Sequence, residues 1–296
     1  MAINRKSDEK INWISTSAFW IVHLSCLAAF WTGFSWTAII VLLLTYSIRM
    51  FGITAGYHRY FSHRSFKTGR IFQFILGALG AASAQKGPLW WAALHRHHHK
   101  YSDTEKDIHS PARRGFWWSH VGWILCDKYN KTDYDLVHDL AKYPELKFLN
   151  RFHLIPPIML AAILFGSGYV LNLFFPTLHT SGLQFLIWGF FISTVMVYHG
   201  TFSVNSLAHV LGRKRFNTKD DSKNSLLIAF YTFGEGWHNN HHRYPSSERQ
   251  GFYWWEIDFS HYVLKILSWF HIVWDLRTPP QKVYAENRYL KRPGKY

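Results

Sequence analysis

Acidic residues are scarce in this 296-residue sequence, and over long stretches charge of either sign is missing. Only 18 Asp and Glu stand against 33 Lys and Arg. From Ile11 to Ile48, and again from Phe152 to Gly212, none of these four residue types occurs. One membrane span takes about 20 apolar residues, so each stretch is long enough for two. The first divides into Ser17 to Phe34 and Trp36 to Thr54, turned at Thr32-Gly33-Phe34-Ser35. The second divides into Leu154 to Phe175 and Leu183 to Val204, turned around Pro176 to Gly182. The slightly negative mean hydropathy, which alone would indicate a soluble protein, hides this local pattern.

Both hairpin tips lack Lys and Arg, which concentrate in the N-terminal tail, in Arg49 to Arg151 and after Gly212. The positive-inside rule then predicts cytoplasmic termini and a cytoplasmic central segment. The polar start, MAINRKSDEK, lacks a cleavable signal pattern, so the first hairpin is expected to remain as an anchor. Only two cysteines occur, Cys26 and Cys126, one in a span and one outside, which excludes a disulfide framework and argues against thiolate metal ligation. No repeat, low-complexity tract or linker appears, so we read one domain over 1–296. Its hairpins cover about 17–54 and 154–204, and its cytoplasmic cap is drawn from about 55–151 and 205–296. Ile71 to Ala93 is apolar but interrupted by Gln85-Lys86-Gly87-Pro88, which predicts an interfacial or re-entrant helix rather than a fifth span. The net charge of +15 suits anionic headgroups beside the spans, and equally a polyanionic substrate or an acidic electron carrier. No recognition module for nucleic acid is present.

Histidine is what the sequence has in excess. Nineteen occur, grouped as His58-Arg-Tyr-Phe-Ser-His63, His95-Arg-His-His-His99 and His238-Asn-Asn-His-His242. Spacings of three and four stack side chains on one helix face. His95, His98 and His99 therefore converge, as do His238, His241 and His242, whereas His97 points elsewhere. For His58 and His63 the spacing leaves a cap, a core or a ligand role open. His209, in Asn205-Ser-Leu-Ala-His209, is an ionisable group at a membrane boundary, which is costly and so functional by default. Six to nine imidazoles exceed what one four-coordinate ion holds, which points to two metals. His23, His179 and His199 read as isolated and structural, and His120, His138, His153, His261 and His271 lack partners at ligand spacing. Asp103, Glu105, Asp107, His109 and Glu235 are candidates to orient ligands by accepting the other ring N–H.

No HExxH or comparable motif supplies the metal, water and general base of a hydrolase. A histidine-ligated metal pair at a membrane surface points instead to dioxygen activation against a lipid chain. Iron changes oxidation state, which zinc does not, and hydrogen abstraction from an unactivated methylene needs such an oxidant. A lipid hydroxylase could share the same boxes. A zinc site in a transporter would need ionisable groups along a transmembrane path, and the charge-free stretches hold no Asp, Glu, Lys or Arg, only histidine.

Four strings carry a family resemblance: GITAGYHRYFSHRSFK (52–67), HRHHHKYSDTEKDIHSPARRGFWWSHVGW (95–123), NSLAHVLG (205–212) and GEGWHNNHHRYP (234–245). In this order they resemble the membrane fatty acid desaturases of the stearoyl-CoA type and related bacterial acyl-CoA desaturases. The resemblance implies an all-α integral membrane protein, with four transmembrane helices in two hairpins under a cytoplasmic helical cap. It also implies two iron ions. His58, His63, His95, His99 and His241 would hold one; His98, His209, His238 and His242 would hold the other, with a water on Asn205. The implied reaction sets a cis double bond, usually between carbons nine and ten, into a long-chain saturated acyl-CoA. It uses dioxygen and two electrons. With no haem or flavin fingerprint in the chain, these would come from a separate donor, ferredoxin or a small cytochrome with its reductase. Trp91, Arg96 and Lys128 match CoA contacts, although Asp127 stands where the family has a basic residue. Tyr46 and Met50 match positions near the closed end of the acyl tunnel.

Overall fold

The structure, a computed structural model, describes residues 7–290 and is almost entirely helical. Most of the polar N-terminal segment expected on the cytoplasmic side lies in 1–6, outside the described residues, as do 291–296. Among the described residues, three helices are long and apolar enough to cross a membrane: Trp36–Ser62, Ile155–Phe174 and Gly182–Val210. The first apolar segment, Ser17–Thr32, is shorter than the about 20 residues of a span and tightens to a 3-10 turn at Cys26–Ala28. Sequence predicts four spans, so this segment is the one that falls short in length. Gly33 then takes φ +62°, and the Ser35 hydroxyl accepts the Ala38 N–H at 3.1 Å, which starts the next helix.

Two helices run past their expected ends. Trp36–Ser62 continues through the first histidine box, and Gly182–Val210 continues through Asn205 to His209 with a kink at Ser206. The polar residues in these extensions face protein: His58 is 3 %, Arg59 1 % and His209 4 % exposed. From Gly52 to Ser62 the winding is π-helical, and the His63 N–H donates to the His58 carbonyl five residues back at 3.2 Å. In an α-helix, side chains five apart diverge by about 140°. The wider winding brings the His58 and His63 rings to 4.9 Å. Close packing accompanies it, since a Cβ on Gly52 would stand 2.6 Å from the Leu79 carbonyl carbon of the helix Arg70–Ala81.

Arg49 is buried where this long helix meets Gly182–Val210. Its guanidinium donates to Thr194 Oγ1 at 2.6 Å, to Ser193 Oγ, and to the Phe190 carbonyl at 3.4 Å. Hydroxyls and carbonyls thus satisfy a charge that would be costly if left bare. The expected interfacial segment forms two helices, Arg70–Ala81 and Pro88–Tyr101, parted at 82–87. Pro88 opens the second at its first turn, where its missing N–H costs nothing. The third box forms a helix of only six residues, His238–Arg243. Its two asparagines anchor it: Asn239 Oδ1 accepts the Arg215 and Phe216 N–H groups at 2.7 Å, and Asn240 Oδ1 accepts from Asn224 Nδ2 at 2.7 Å. A short antiparallel ribbon, Lys67–Thr68 with Val273–Trp274, ties the late chain beside the first box.

Candidate metal centre

The boxes, on three helices, and His209, on a fourth, converge into two groups of imidazoles. Ring nitrogens of His58, His63, His95, His99 and His241 all lie within 4.8 Å of one another, and those of His98, His209, His238 and His242 do the same. The Nε2 atoms of His58 and His241 are 3.0 Å apart, those of His63 and His95 2.8 Å, those of His99 and His241 2.9 Å, and those of His209 and His238 3.1 Å. Two imidazole nitrogens bound side by side, each about 2.1 Å from a metal, stand about 3.0 Å apart when they subtend a right angle. The spacing and the all-nitrogen donor set fit metal ions. His242 Nε2 adds to this, for it is buried with no hydrogen-bond partner while its other nitrogen is engaged. His97 turns away, its Nε2 lying 2.9 Å from the Lys106 carbonyl.

Carboxylates hold the outward nitrogens of four of these rings. His98 Nδ1 lies 2.9 Å from Asp107 Oδ1, His209 Nδ1 3.2 Å from Asp103 Oδ2, and His242 Nδ1 2.7 Å from Asp220 Oδ2; Glu235 pairs with His58 Nδ1. Such partners fix the tautomer and leave Nε2 as the donor to a metal. Glu105 does not join them, since it pairs with Arg113 on the surface. Asp220, which no spacing in the sequence singles out, does. His98, Asp107 and His109 also cluster. Asp107, however, is already occupied by His98 and by the N–H groups of Asp103 and His109, so its role is orientation.

Charge follows burial. Burial, then neighbouring imidazoles, keeps His63, His95, His99, His238 and His241 well below the ordinary histidine range. Burial likewise brings His242 to about 4 despite Asp220. Neutral imidazole is the form that binds a metal. Burial also works against the Glu235 carboxylate, yet His58 and Arg59 hold it below the usual range. Arg59 itself bridges Glu235 at 3.0 Å and Asp258 at 2.9 Å beneath the first group. Gly234, at φ +112°, is needed here, because a Cβ would collide with the Asp258 carboxylate.

A cavity of about 290 Å³ reaches the site. Trp91, His95, His109 and Asn205 line its metal end, and Leu94, Trp123, Tyr198 and Phe202 are among its apolar walls. The Trp91 ring stacks on His95 at 5.0 Å. The volume is near the roughly 300 Å³ at which small-molecule pockets begin.

The fatty acid desaturase family profile matches residues 34–269. The chain belongs to that family. An acyl-CoA 5-desaturase of Anemone leveillei is 37 % identical over 286 residues, covering 92 % of this chain and 84 % of that protein. An sn-1 stearoyl-lipid 9-desaturase of Anabaena variabilis is 37 % identical over 271 residues, covering 90 % of this chain and 94 % of that protein. A palmitoyl-monogalactosyldiacylglycerol delta-7 desaturase of Arabidopsis thaliana is 36 % identical over 267 residues, covering 87 % of this chain and 66 % of that protein.

The remaining residues singled out in this desaturase lie as follows. Arg96 donates to Asp139 Oδ1 at 2.7 Å and to the carbonyls of Phe61 at 2.8 Å and Ser62 at 3.0 Å, so it clamps two box segments together. Lys128 pairs with Glu9. Tyr46 and Met50 are buried in the core rather than in the cavity wall, and pack on Gly200, where a Cβ would stand 2.7 Å from Met50 Cε. Three histidines read as isolated or partnerless are not so. His23 Nε2 lies 3.3 Å from His199 Nε2, and His199 Nδ1 lies 3.0 Å from His120 Nε2. They come from three separate segments, and no spacing rule links them.

Proposed function

We propose that this desaturase sets a cis double bond, at the delta-9 position, into a long-chain saturated fatty acyl substrate at a pair of irons. The observation that carries the reading is the apolar cavity that ends at His95 and Asn205, beside two all-imidazole groups. His58, His63, His95, His99 and His241 would hold one iron; His98, His209, His238 and His242 the other, with a water on Asn205. Bound iron would supply the oxidant, formed from dioxygen, that takes two hydrogens from adjacent methylenes. The balance is one dioxygen, two electrons and two protons in, and two waters out. The chain's own part is positioning: rigid walls decide which methylene meets the metals, and Asp103, Asp107, Asp220 and Glu235 keep the rings aimed.

The reading includes a multi-pass membrane protein with both termini and the site on the cytoplasmic face, supported by the Lys and Arg distribution. Electrons come from a separate donor, ferredoxin or a small cytochrome with its reductase, attracted to the basic cap. Of the relatives, some are named for acyl-CoA and some for acyl-lipid substrates. The CoA thioester predicted from sequence rests on Trp91, Arg96 and Lys128, of which only Trp91 lines the cavity. Tyr46 and Met50 would set acyl length, a role that rests on their match to positions near the closed end of the family's acyl tunnel.

Expression in a desaturase-deficient host, followed by gas chromatography of its fatty acids, tests the reading. A delta-9 monoene is expected, and Met50→Ala or Tyr46→Ala should shift its chain length. A hydroxylated product would assign the chain to lipid hydroxylation instead, and an unaltered length profile would remove both residues from that role.

A further inference from the structure

His23, His199 and His120 join into one chain of hydrogen bonds that ends at Ser206. His23 Nδ1 lies 2.8 Å from the Phe19 carbonyl, and its Nε2 meets His199 at 3.3 Å. His199 Nδ1 meets His120 Nε2 at 3.0 Å, and His120 Nδ1 lies 2.9 Å from Ser206 Oγ. The Ser206 hydroxyl donates in turn to the Phe202 carbonyl at 3.0 Å. Every ring has both nitrogens engaged. His199 turns a different nitrogen to each neighbour, so the three rings do not converge on a point as ligands of one ion do.

The chain has five contacts and, with neutral rings, four hydrogens to fill them. A neutral imidazole carries one N–H and a serine one O–H. The carbonyls of Phe19 and Phe202 only accept, so they take the His23 Nδ1 hydrogen and the Ser206 hydroxyl hydrogen. One contact between those ends is left with two lone pairs facing each other. The contact of His23 with His199 is the longest of the five, and His199 is exposed there. With the vacancy in that place, His199 and His120 each donate inward through Nδ1, towards Ser206. Burial holds His120 below the ordinary histidine range, so the chain rests without a fifth hydrogen. The other titratable side chains here are Tyr198 and, one turn on from His23, Cys26. They are bonded to the Ala84 and Val22 carbonyls.

The chain lies along the outer side of the cavity wall. Phe19 and Phe202 line the cavity; behind them, Phe19 packs on His23 at 4.2 Å and Phe202 meets His120 edge-on at 5.8 Å. At the inner end Ser206 is fully buried, next to Asn205 at the metal end of the cavity. At the outer end His199 is exposed between His23, on the helix Ser17–Ser25, and His120, on the helix Phe116–His120. Desaturation takes up two protons per double bond, and an acyl chain filling a cavity of about 290 Å³ would shut out the water that brings them. We infer that His23, His199, His120 and Ser206 form a proton relay from the outer surface to the water on Asn205. A proton enters at the vacant contact and binds His199 Nε2. His199 passes its Nδ1 proton to His120 Nε2, and His120 passes its own to Ser206 Oγ. Ser206, left with two, releases one towards Asn205. One proton enters and one leaves, and tautomer exchange resets the rings. The relay rests on the desaturase reading and adds to it residues that hold no metal.

His199→Gln tests the relay, because glutamine keeps a donor and an acceptor between the neighbouring rings but does not pass a proton through itself. The purified, iron-loaded full-length protein in proteoliposomes is supplied with reduced ferredoxin and with stearoyl chains, as stearoyl-CoA and as distearoyl phosphatidylglycerol. Rates are measured in H2O and in D2O. In the variant kcat should fall about a hundredfold, the low end for loss of a positioned proton-transfer group, while KM and iron per chain hold. Its solvent isotope effect should exceed that of the unaltered protein, and added imidazole should restore part of the rate. His120→Gln should repeat the pattern. A normal kcat in both variants, or a loss with neither a larger isotope effect nor rescue by imidazole, would overturn the relay and leave the desaturase reading standing. Loss of iron from either variant would do the same, by assigning the ring to metal binding. Turnover of neither substrate by the unaltered protein would overturn both.

Discussion

His98→Ala and His209→Ala should each abolish desaturation, with product falling below detection while the protein still reaches the membrane fraction. Both belong to the group of four imidazoles, so losing either leaves three nitrogens in that group. Three protein ligands are enough for some ions, but removal of a ring also takes the imidazole away from its carboxylate, Asp107 or Asp103, which is left with backbone and hydroxyl partners alone. The charge-free stretches that carry membrane insertion are untouched by His98→Ala. The control is His97→Ala, whose ring faces the Lys106 carbonyl and should leave activity near normal. Full activity in either ligand variant would defeat the assignment of the second group.

Asp220→Asn should lower iron affinity and activity by about ten- to a hundredfold, the range found when an outer partner of a metal-bound histidine is changed. Asp220 accepts from His242 at 2.7 Å and from the Ser222 N–H at 3.1 Å. Burial raises its carboxyl, but the His242 contact and the Ser222 bonds bring it far below the usual range. Asn keeps the shape and loses the charge, so the His242 ring would turn more freely and its Nε2 would be a weaker donor. An iron titration of the two purified proteins checks this. Equal affinities would show that Asp220 only caps its own loop, through Ser222.

Spacing carried much of the site, because it needs only local helix geometry. Offsets of three and four put His95, His98 and His99 on one face and turn His97 away, and the structure has them so. His209 stood out for a different reason, the cost of an imidazole at the end of a charge-free stretch. His58 and His63 could not be read in the same way. Five residues apart, they share a side only because the helix widens there, and that winding depends on how closely Arg70–Ala81 packs at Gly52. Long-range partners were hidden altogether. Asp220 finds His242, Glu9 finds Lys128 and Arg114, and His23 meets His199 only after the helices assemble. In the membrane-facing part, charge-free runs located the apolar helices, and the shortness of Ser17–Thr32 follows from the Gly33 turn and the 3-10 tightening before it.

The central claim is that nine histidines divide into two iron sites within one chain. Its most direct test is the iron bound per chain in protein purified from an iron-supplemented host, measured by mass spectrometry and by Mössbauer spectroscopy of iron-57. Two irons per chain, each in a nitrogen-rich environment, are predicted. One ion per chain, or zinc retained in place of iron by an active preparation, would contradict it.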